Sequence, residues 1–262
     1  MNKKPEKQMN YWTLLIAAVL LSANVSADEN RGEARERIEP KGFLYGLGLG
    51  ITEEIYKGYD YRAIPLPIIG YRGDKFRILG PFISYDAAEF SDIKLTLQLA
   101  PRFQGFDDSD SYIFKNMKKR KLSMDAGLGF TYEKKDWKIS ISSMFDVLNK
   151  SNGYEASTDV SRVFRQGPLF FEPRLSLRYL DSNNVDYYFG VKANETNEFT
   201  SQYQGKAALN ATLGLSISTP IFFNGFTQVS LDYTWYGSAI TDSPLVEKDA
   251  GIGARFLFSK FF

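Results

Sequence analysis

From Gly42 onward, apolar and polar residues alternate along the chain with period two. Across 93–103, Ile93, Leu95, Leu97, Leu99, Pro101 and Phe103 share one side of the alternation, and Lys94, Thr96, Gln98, Ala100 and Arg102 the other. Across 122–132, Leu122, Met124, Ala126, Leu128, Phe130 and Tyr132 oppose Ser123, Asp125, Gly127, Gly129 and Thr131. The pattern returns in Ala207, Leu209, Ala211, Leu213, Leu215 and Ile217, and again in Val229, Leu231, Tyr233 and Trp235. A strand sends successive side chains to opposite faces, so each run predicts a strand with one greasy and one polar face. Turn-forming clusters such as Arg72-Gly73-Asp74, Lys134-Lys135-Asp136, Ser151-Asn152-Gly153, Asp181-Ser182-Asn183-Asn184 and Phe223-Asn224-Gly225 separate the runs. They predict strands near 42–53, 61–71, 75–86, 91–104, 121–133, 136–148, 153–166, 168–180, 185–193, 203–218, 226–237 and 249–262. That is about twelve strands, with ten to fourteen as the range.

A soluble β-sandwich or a lipocalin-like barrel would alternate in the same way. Three features favour a membrane barrel. The runs are longer than the roughly six residues of an average soluble strand and suit a tilted crossing of hydrocarbon. Aromatic residues stand near many strand ends, as interfacial girdles require: Tyr45, Tyr56, Tyr61, Tyr71, Phe103, Tyr132, Tyr179, Tyr187, Tyr203 and Tyr236. The polar faces are rich in Gly, Ser, Thr, Lys, Arg and Asp, which fits a wet lumen. Lipid offers no partner to backbone amides, so such a sheet has to close on itself. The expected fold is therefore all-β, an antiparallel up-and-down transmembrane β-barrel over 42–262. The terminal Phe262, with Phe256 and Phe258 on its face, fits a C-terminal signal for outer-membrane assembly, although Lys260 interrupts it.

Residues 1–27 read as a signal peptide: Lys3, Lys4 and Lys7 precede an apolar stretch at 11–21, and Val25-Ser26-Ala27 offers a cleavage site. The apolar stretch is too short for a membrane-spanning anchor, the alternative reading. Residues 28–41 are polar and read as a flexible periplasmic arm. The expected location is the outer membrane of a Gram-negative bacterium.

Composition removes several chemistries. The 262 residues contain no His and no Cys, so a Ser-His-Asp triad, a Cys/His zinc site and a disulfide are excluded. With 32 basic and 31 acidic residues the formal charge is +1, which offers nucleic acid no attractive field. No acid pair stands out for a carboxylate-only hydrolase, and no cofactor is expected. Aromatics make up 15% of the chain, in keeping with the girdles.

Several segments together resemble the MipA/OmpV family, named for the MltA-interacting protein. They are Pro65-Leu66-Pro67 with Tyr71, then Arg102-Phe103-Gln104-Gly105, then Tyr187-Tyr188-Phe189-Gly190-Val191, then Asp242-Ser243-Pro244-Leu245-Val246. The resemblance runs through almost all of the expected mature chain. It implies an outer-membrane barrel without catalysis, and in one branch a scaffold joining a lytic transglycosylase to a bifunctional penicillin-binding protein. Other members resemble adhesins or surface antigens, and a small-solute channel is a further alternative. The connection 192–202 is shorter and more polar here than the family's Gly/Ala-rich segment.

The connection 105–120 is the candidate docking loop, with Asp107, Asp108 and Asp110 at one end and Lys115, Lys118, Lys119 and Arg120 at the other. A short helix over 111–117, capped by Asp108 or Ser109, is expected. An ordinary solvated loop with complementary charges is the competing reading. The strand count places this loop on the periplasmic side, with both termini. Asp108-Ser109-Asp110 lacks the Gly and Glu of a calcium loop, so no metal is expected. The inward charges Lys94, Arg102, Asp125, Arg174, Arg178 and Asp232 are expected to pair with one another and plug the interior, with the lining of a solute-selecting pore as the alternative. Pro65, Pro67, Pro173 and Pro244 are expected to mark bulges or strand starts.

Overall fold

A computed structural model describes residues 41–262. The segments expected to be a signal peptide, 1–27, and most of a flexible arm, 28–41, lie outside the described residues. The strands are β1 (Gly42–Glu53), β2 (Tyr61–Arg72), β3 (Phe76–Leu79), β4 (Phe82–Phe90), β5 (Ile93–Arg102), β6 (Ser123–Lys134), β7 (Trp137–Asp146), β8 (Tyr154–Arg162), β9 (Phe164–Gln166), β10 (Leu169–Leu180), β11 (Ala208–Thr219), β12 (Phe226–Trp235) and β13 (Ala250–Phe261). Among the described residues, two short α-helices, α1 (Ser182–Phe189) and α2 (Ser238–Thr241), lie in the connections. β8 and β9 both pair with β10 in one continuous register and act as one strand interrupted at Val163, which faces Glu172 beside Pro173. The register is the same on both sides of the break, Arg174↔Ser161 and Phe171↔Phe164, so Pro173 marks neither the expected bulge nor a strand start. Twelve antiparallel strands close the barrel, the first pairing with the last from Leu44↔Phe261 to Thr52↔Gly253. Closure satisfies the edges that lipid would leave bare.

The alternation holds with the greasy face outward. Leu209 and Leu215 on β11, Val229 and Leu231 on β12, and Leu97 on β5 are exposed, and Ile69 on β2 is 78% exposed. The intervening Ser230, Ser176 and Thr96 are buried. Inward hydroxyls pair across strands, Thr212 with Thr234, Ser216 with Ser230 and Ser142 with Ser157, each at 2.8–2.9 Å. A soluble barrel would show the reverse distribution; this one fits hydrocarbon around it.

Twelve strands are present, but two expectations were wrong in ways that cancel. The segment 75–86 is a hairpin rather than one strand. Gly80, at φ +57, and Pro81 turn the chain between β3 and β4. The segment 185–193 is not a strand. Asp181 caps α1 by accepting from the Asn184 N–H at 3.0 Å, so the cluster 181–184 starts a helix instead of a hairpin turn.

The extra hairpin changes which end each connection occupies. β1 starts at the same end as β13 finishes, together with the short turns 73–75, 91–92, 135–136, 167–168 and 220–225. The opposite end carries the longer connections 54–60, 103–122, 147–153, 181–207 and 236–249. Five strands now precede the 105–120 loop, so it lies at the end opposite the termini, contrary to the expected side. In outer-membrane barrels short turns face the periplasm and longer loops the exterior, which assigns the loop end to the outside.

Candidate functional site: the cap and the lumen

Four connections from separate parts of the rim converge over the loop end. Ile55 and Tyr56 come from 54–60, and Phe106, Ile113, Phe114 and Met117 from 103–122. Val185, Tyr188, Phe189 and Val191 come from α1 and the residues after it, and Ile240, Leu245 and Val246 from 236–249. All are buried in one cluster. Because the contributors surround the mouth, their shared core lies across it. The Phe106 and Phe114 rings stack at 3.8 Å between centroids, and Tyr56 stacks on Phe189 at 5.3 Å.

Polar bonds fix the arrangement. The Tyr56 hydroxyl donates to the Tyr188 carbonyl at 3.0 Å, and the Ser243 hydroxyl to the Phe189 carbonyl at 2.6 Å. Asn197 donates to the carbonyls of Ile113 and Lys115. At the centre Arg120 is buried and meets Glu195 at 2.7 and 2.9 Å, while also donating to the carbonyls of Tyr187 and Gly190. Its guanidinium lies over the rings of Phe106 and Tyr187. Burial alone would raise the Glu195 carboxyl. Bonds from Arg120 and from the N–H groups of Lys118 and Lys192 outweigh it and hold the carboxyl at about 2. Burial pushes the Tyr56 and Tyr188 hydroxyls upward.

The residues singled out from sequence divide between cap and wall. Tyr187, Tyr188, Gly190, Val191, Ser243, Pro244, Leu245 and Val246 all belong to the cap. Val246 bridges to Tyr56, Val191 to Tyr203, and Pro244 accepts from the Lys57 ammonium at 2.8 Å. Pro244 is thus a cap residue and marks neither a bulge nor a strand start. Gly105, at φ +143, sits so close to the Arg120 carbonyl that a Cβ would lie 2.3 Å from it. Four expected girdle residues, Tyr56, Tyr187, Tyr203 and Tyr236, pack in or against the cap core instead of facing lipid.

The docking loop is largely cap as well. In place of the expected helix it holds a 3-10 turn at Tyr112–Phe114, capped by Ser111. Arg120 is internal; Asp107 pairs with Lys119 at 2.5 Å, and its N–H donates to Asp110. Asp108, Asp110, Lys115, Lys118 and Lys119 are exposed at the outer end. Glu195 and Asn197, which tie the cap together, come from the 192–202 connection. A lone acid in a polar run carries no sequence signal of that role. Pro65, Pro67 and Tyr71 lie on β2, where Tyr71 packs on Phe43 at 5.1 Å between ring centroids. Phe262 is exposed at the turn end beside Tyr45, and Phe258 meets Phe223.

Beneath the cap, the inward charges pair as expected. Arg102 meets Asp125 at 2.5 Å and Glu155 at 2.9 Å, Arg178 meets Glu155 at 3.0 Å, and Arg174 and Arg255 share Asp232. Lys94 lies 3.6 Å from Asp86. Contrary to expectation, these pairs do not plug the interior. A cavity of about 570 Å³ lies under the cap and a second of about 400 Å³ adjoins it, with Gly50, Leu66, Phe82 and Arg255 lining both.

The profile of the family described as MltA-interacting protein MipA matches residues 45–262. Outer membrane protein Omp26La of Vibrio anguillarum is 30% identical, over 89% of this chain and 92% of its own. The MltA-interacting protein of Escherichia coli (strain K12) is 26% identical, over 90% of this chain and 92% of its own. Outer membrane protein OmpV of Vibrio cholerae is 26% identical, over 75% of this chain and 77% of its own.

Proposed function

This chain belongs to the MltA-interacting protein MipA family, and from that premise we propose that it is a non-enzymatic outer-membrane scaffold for murein enzymes. Its partner is a lytic transglycosylase, joined by a bifunctional penicillin-binding protein. The capped mouth carries this reading: a barrel whose outer end is occupied by a dry aromatic core is built to stand in the membrane more than to conduct through it. A scaffold role also agrees with the name of the E. coli relative. A periplasmic enzyme meets the turn end, where Asp74, Lys75, Lys135 and Asp136 mix with the exposed Phe223. The 105–120 loop, at the other end, lies out of its reach.

The test is capture of the full-length protein in mild detergent. A lytic transglycosylase co-purifies, and planar bilayers containing the protein stay electrically silent. Replacing Lys118 and Lys119 by Ala leaves capture unchanged. Capture without any murein enzyme, or discrete conductance steps, would overturn the scaffold. The lumen cavities are the one observation that favours a small-solute channel, and conductance is its signature.

A further inference from the structure

The barrel wall is interrupted between β2 and β5. β3 pairs with β2 only at Gly70↔Leu79, Tyr71↔Ile78 and Arg72↔Arg77. β4 reaches β5 only from Ile83↔Leu99 to Phe90↔Ile93. The β3–β4 hairpin turns back at Gly80 and Pro81, part-way across the wall. Residues 61–69 of β2 therefore pair with β1 alone, and 100–102 of β5 with β6 alone. At the turn side the seam is closed by the Gly80 N–H donating to the Ile69 carbonyl at 3.2 Å. At the loop side it is closed by Arg62, which donates to the carbonyls of Phe103, at 2.9 Å, and Gly105, and pairs with Glu54 at 2.5 Å.

An unpaired edge in lipid leaves bare amides. Within a strand, alternate residues direct their N–H and C=O to the same neighbour. The Ile69 carbonyl points across the seam, so positions 63, 65, 67 and 69 are the ones that face it. Two of these are Pro65 and Pro67, which have no N–H to strand. Prolines here are the residues that make a stable gap tolerable, and neither marks a bulge or a strand start. The inward side chains at the seam are apolar as well: Ile64, Leu66 and Ile68 from β2, with Leu79 and Phe82 from the hairpin. Leu66, Ile68, Leu79, Pro81 and Phe82 line the 400 Å³ cavity, whose opposite wall holds Arg174, Arg255, Gln228 and Ser230.

We propose that this seam is a side port through which an uncharged, mainly apolar small molecule passes from the bilayer into the lumen and binds against Leu66, Ile68 and Phe82. The port opens toward hydrocarbon, so its ligand arrives dissolved in lipid. At this wall the two cations Arg174 and Arg255 are balanced by two carboxylates, the Asp232 they share and Glu172, which also lines the cavity, so a charged ligand would leave a surplus. The cavity volume falls within the range of small-molecule sites. The polar wall receives a hydroxyl or similar end group. This inference is independent of the scaffold reading.

The probe is a diazirine-bearing ten-carbon alcohol, photolysed on the full barrel in nanodiscs, with labelled residues located by mass spectrometry. Outward residues such as Leu97 label in proportion to probe concentration. Leu66, Ile68 and Phe82 label saturably and are protected by unlabelled decanol. Leu66→Trp, which fills the cavity, lowers the saturable labelling about tenfold at fixed probe, and Arg62→Ala, which releases the loop-side closure, speeds it. The carboxylate analogue of the probe labels outward residues alone. Labelling of the unsubstituted barrel confined to outward residues overturns the proposal, as does inward labelling that decanol does not compete. If Leu66→Trp fails to fold, competition in the unsubstituted barrel still decides.

Discussion

The wall and the cap bury opposite kinds of residue. In the wall, Leu97, Leu209, Val229 and Leu231 stand exposed and Thr96, Ser176 and Ser230 are buried; in the cap, Phe114, Val185 and Leu245 are fully buried while Asp108, Lys115 and Lys118 are exposed. The physical rule is the same in both. Apolar surface leaves water, and polar groups keep partners. What differs is the surroundings, hydrocarbon around the wall and water around the cap. The wall needs only short cross-strand hydroxyl pairs and ion pairs inside, whereas the cap behaves as a miniature soluble core and depends on a few long-range bonds.

That contrast predicts separable failures. The largest effect is expected for Arg120→Ala, which leaves Glu195 buried without its partner. Removing one member of a buried pair costs about 3–5 kcal/mol. Amide exchange should accelerate through 106–117 and 182–195 while β5, β6 and β10 remain protected. Loss of protection in cap and strands together would show that the two regions are one cooperative unit. Next is Leu97→Arg, on the lipid face opposite Leu128 of β6. A charge near the bilayer midplane costs about 2–4 kcal/mol in barrel stability. Equilibrium refolding into lipid vesicles measures this; an unchanged midpoint would mean that Leu97 faces water.

Acid sharpens the same comparison. The Glu195 carboxyl titrates at about 2, below its ordinary 4.5. A lowered value contributes stability fully present above 4.5 and lost as pH falls toward 2. The cap should loosen in that window, seen as proteolysis within 105–120, with Glu195→Gln flattening the dependence. Ser243→Ala removes the hydroxyl bonded to the Phe189 carbonyl and is expected to cost about 1–2 kcal/mol of cap stability by the same exchange measurement. The smallest effect belongs to Lys119→Ala. Its exposed pairing with Asp107 should leave cap stability unchanged within error.

Several features were legible in the residue pattern. The faces of β5, β6, β11 and β12 follow the alternation residue by residue, because a period of two fixes orientation once one face is greasy. Lumen pairing of Arg102, Asp125, Arg174 and Asp232 followed from that assignment. The β3–β4 hairpin did not. The run Ile78-Leu79-Gly80-Pro81-Phe82-Ile83 is apolar on both sides of its turn, so it reads equally as one strand or two. The Tyr-Tyr-Phe-Gly-Val stretch alternates like a strand, yet the Asp181 cap and the cap core make its first part a helix. Four tyrosines counted as girdle residues were pulled inward for the same reason.

Local sequence alone determined that this chain forms strands, which face of each strand meets lipid, and that the sheet must close, since those follow from side-chain alternation and the backbone's need for partners. Only the tertiary structure decided which end bears the 105–120 loop, that Arg120 meets Glu195, and that β2 and β5 part beside Pro65 and Pro67. Each of these depends on register and on contacts between segments far apart in the chain, and no local pattern encodes such distances.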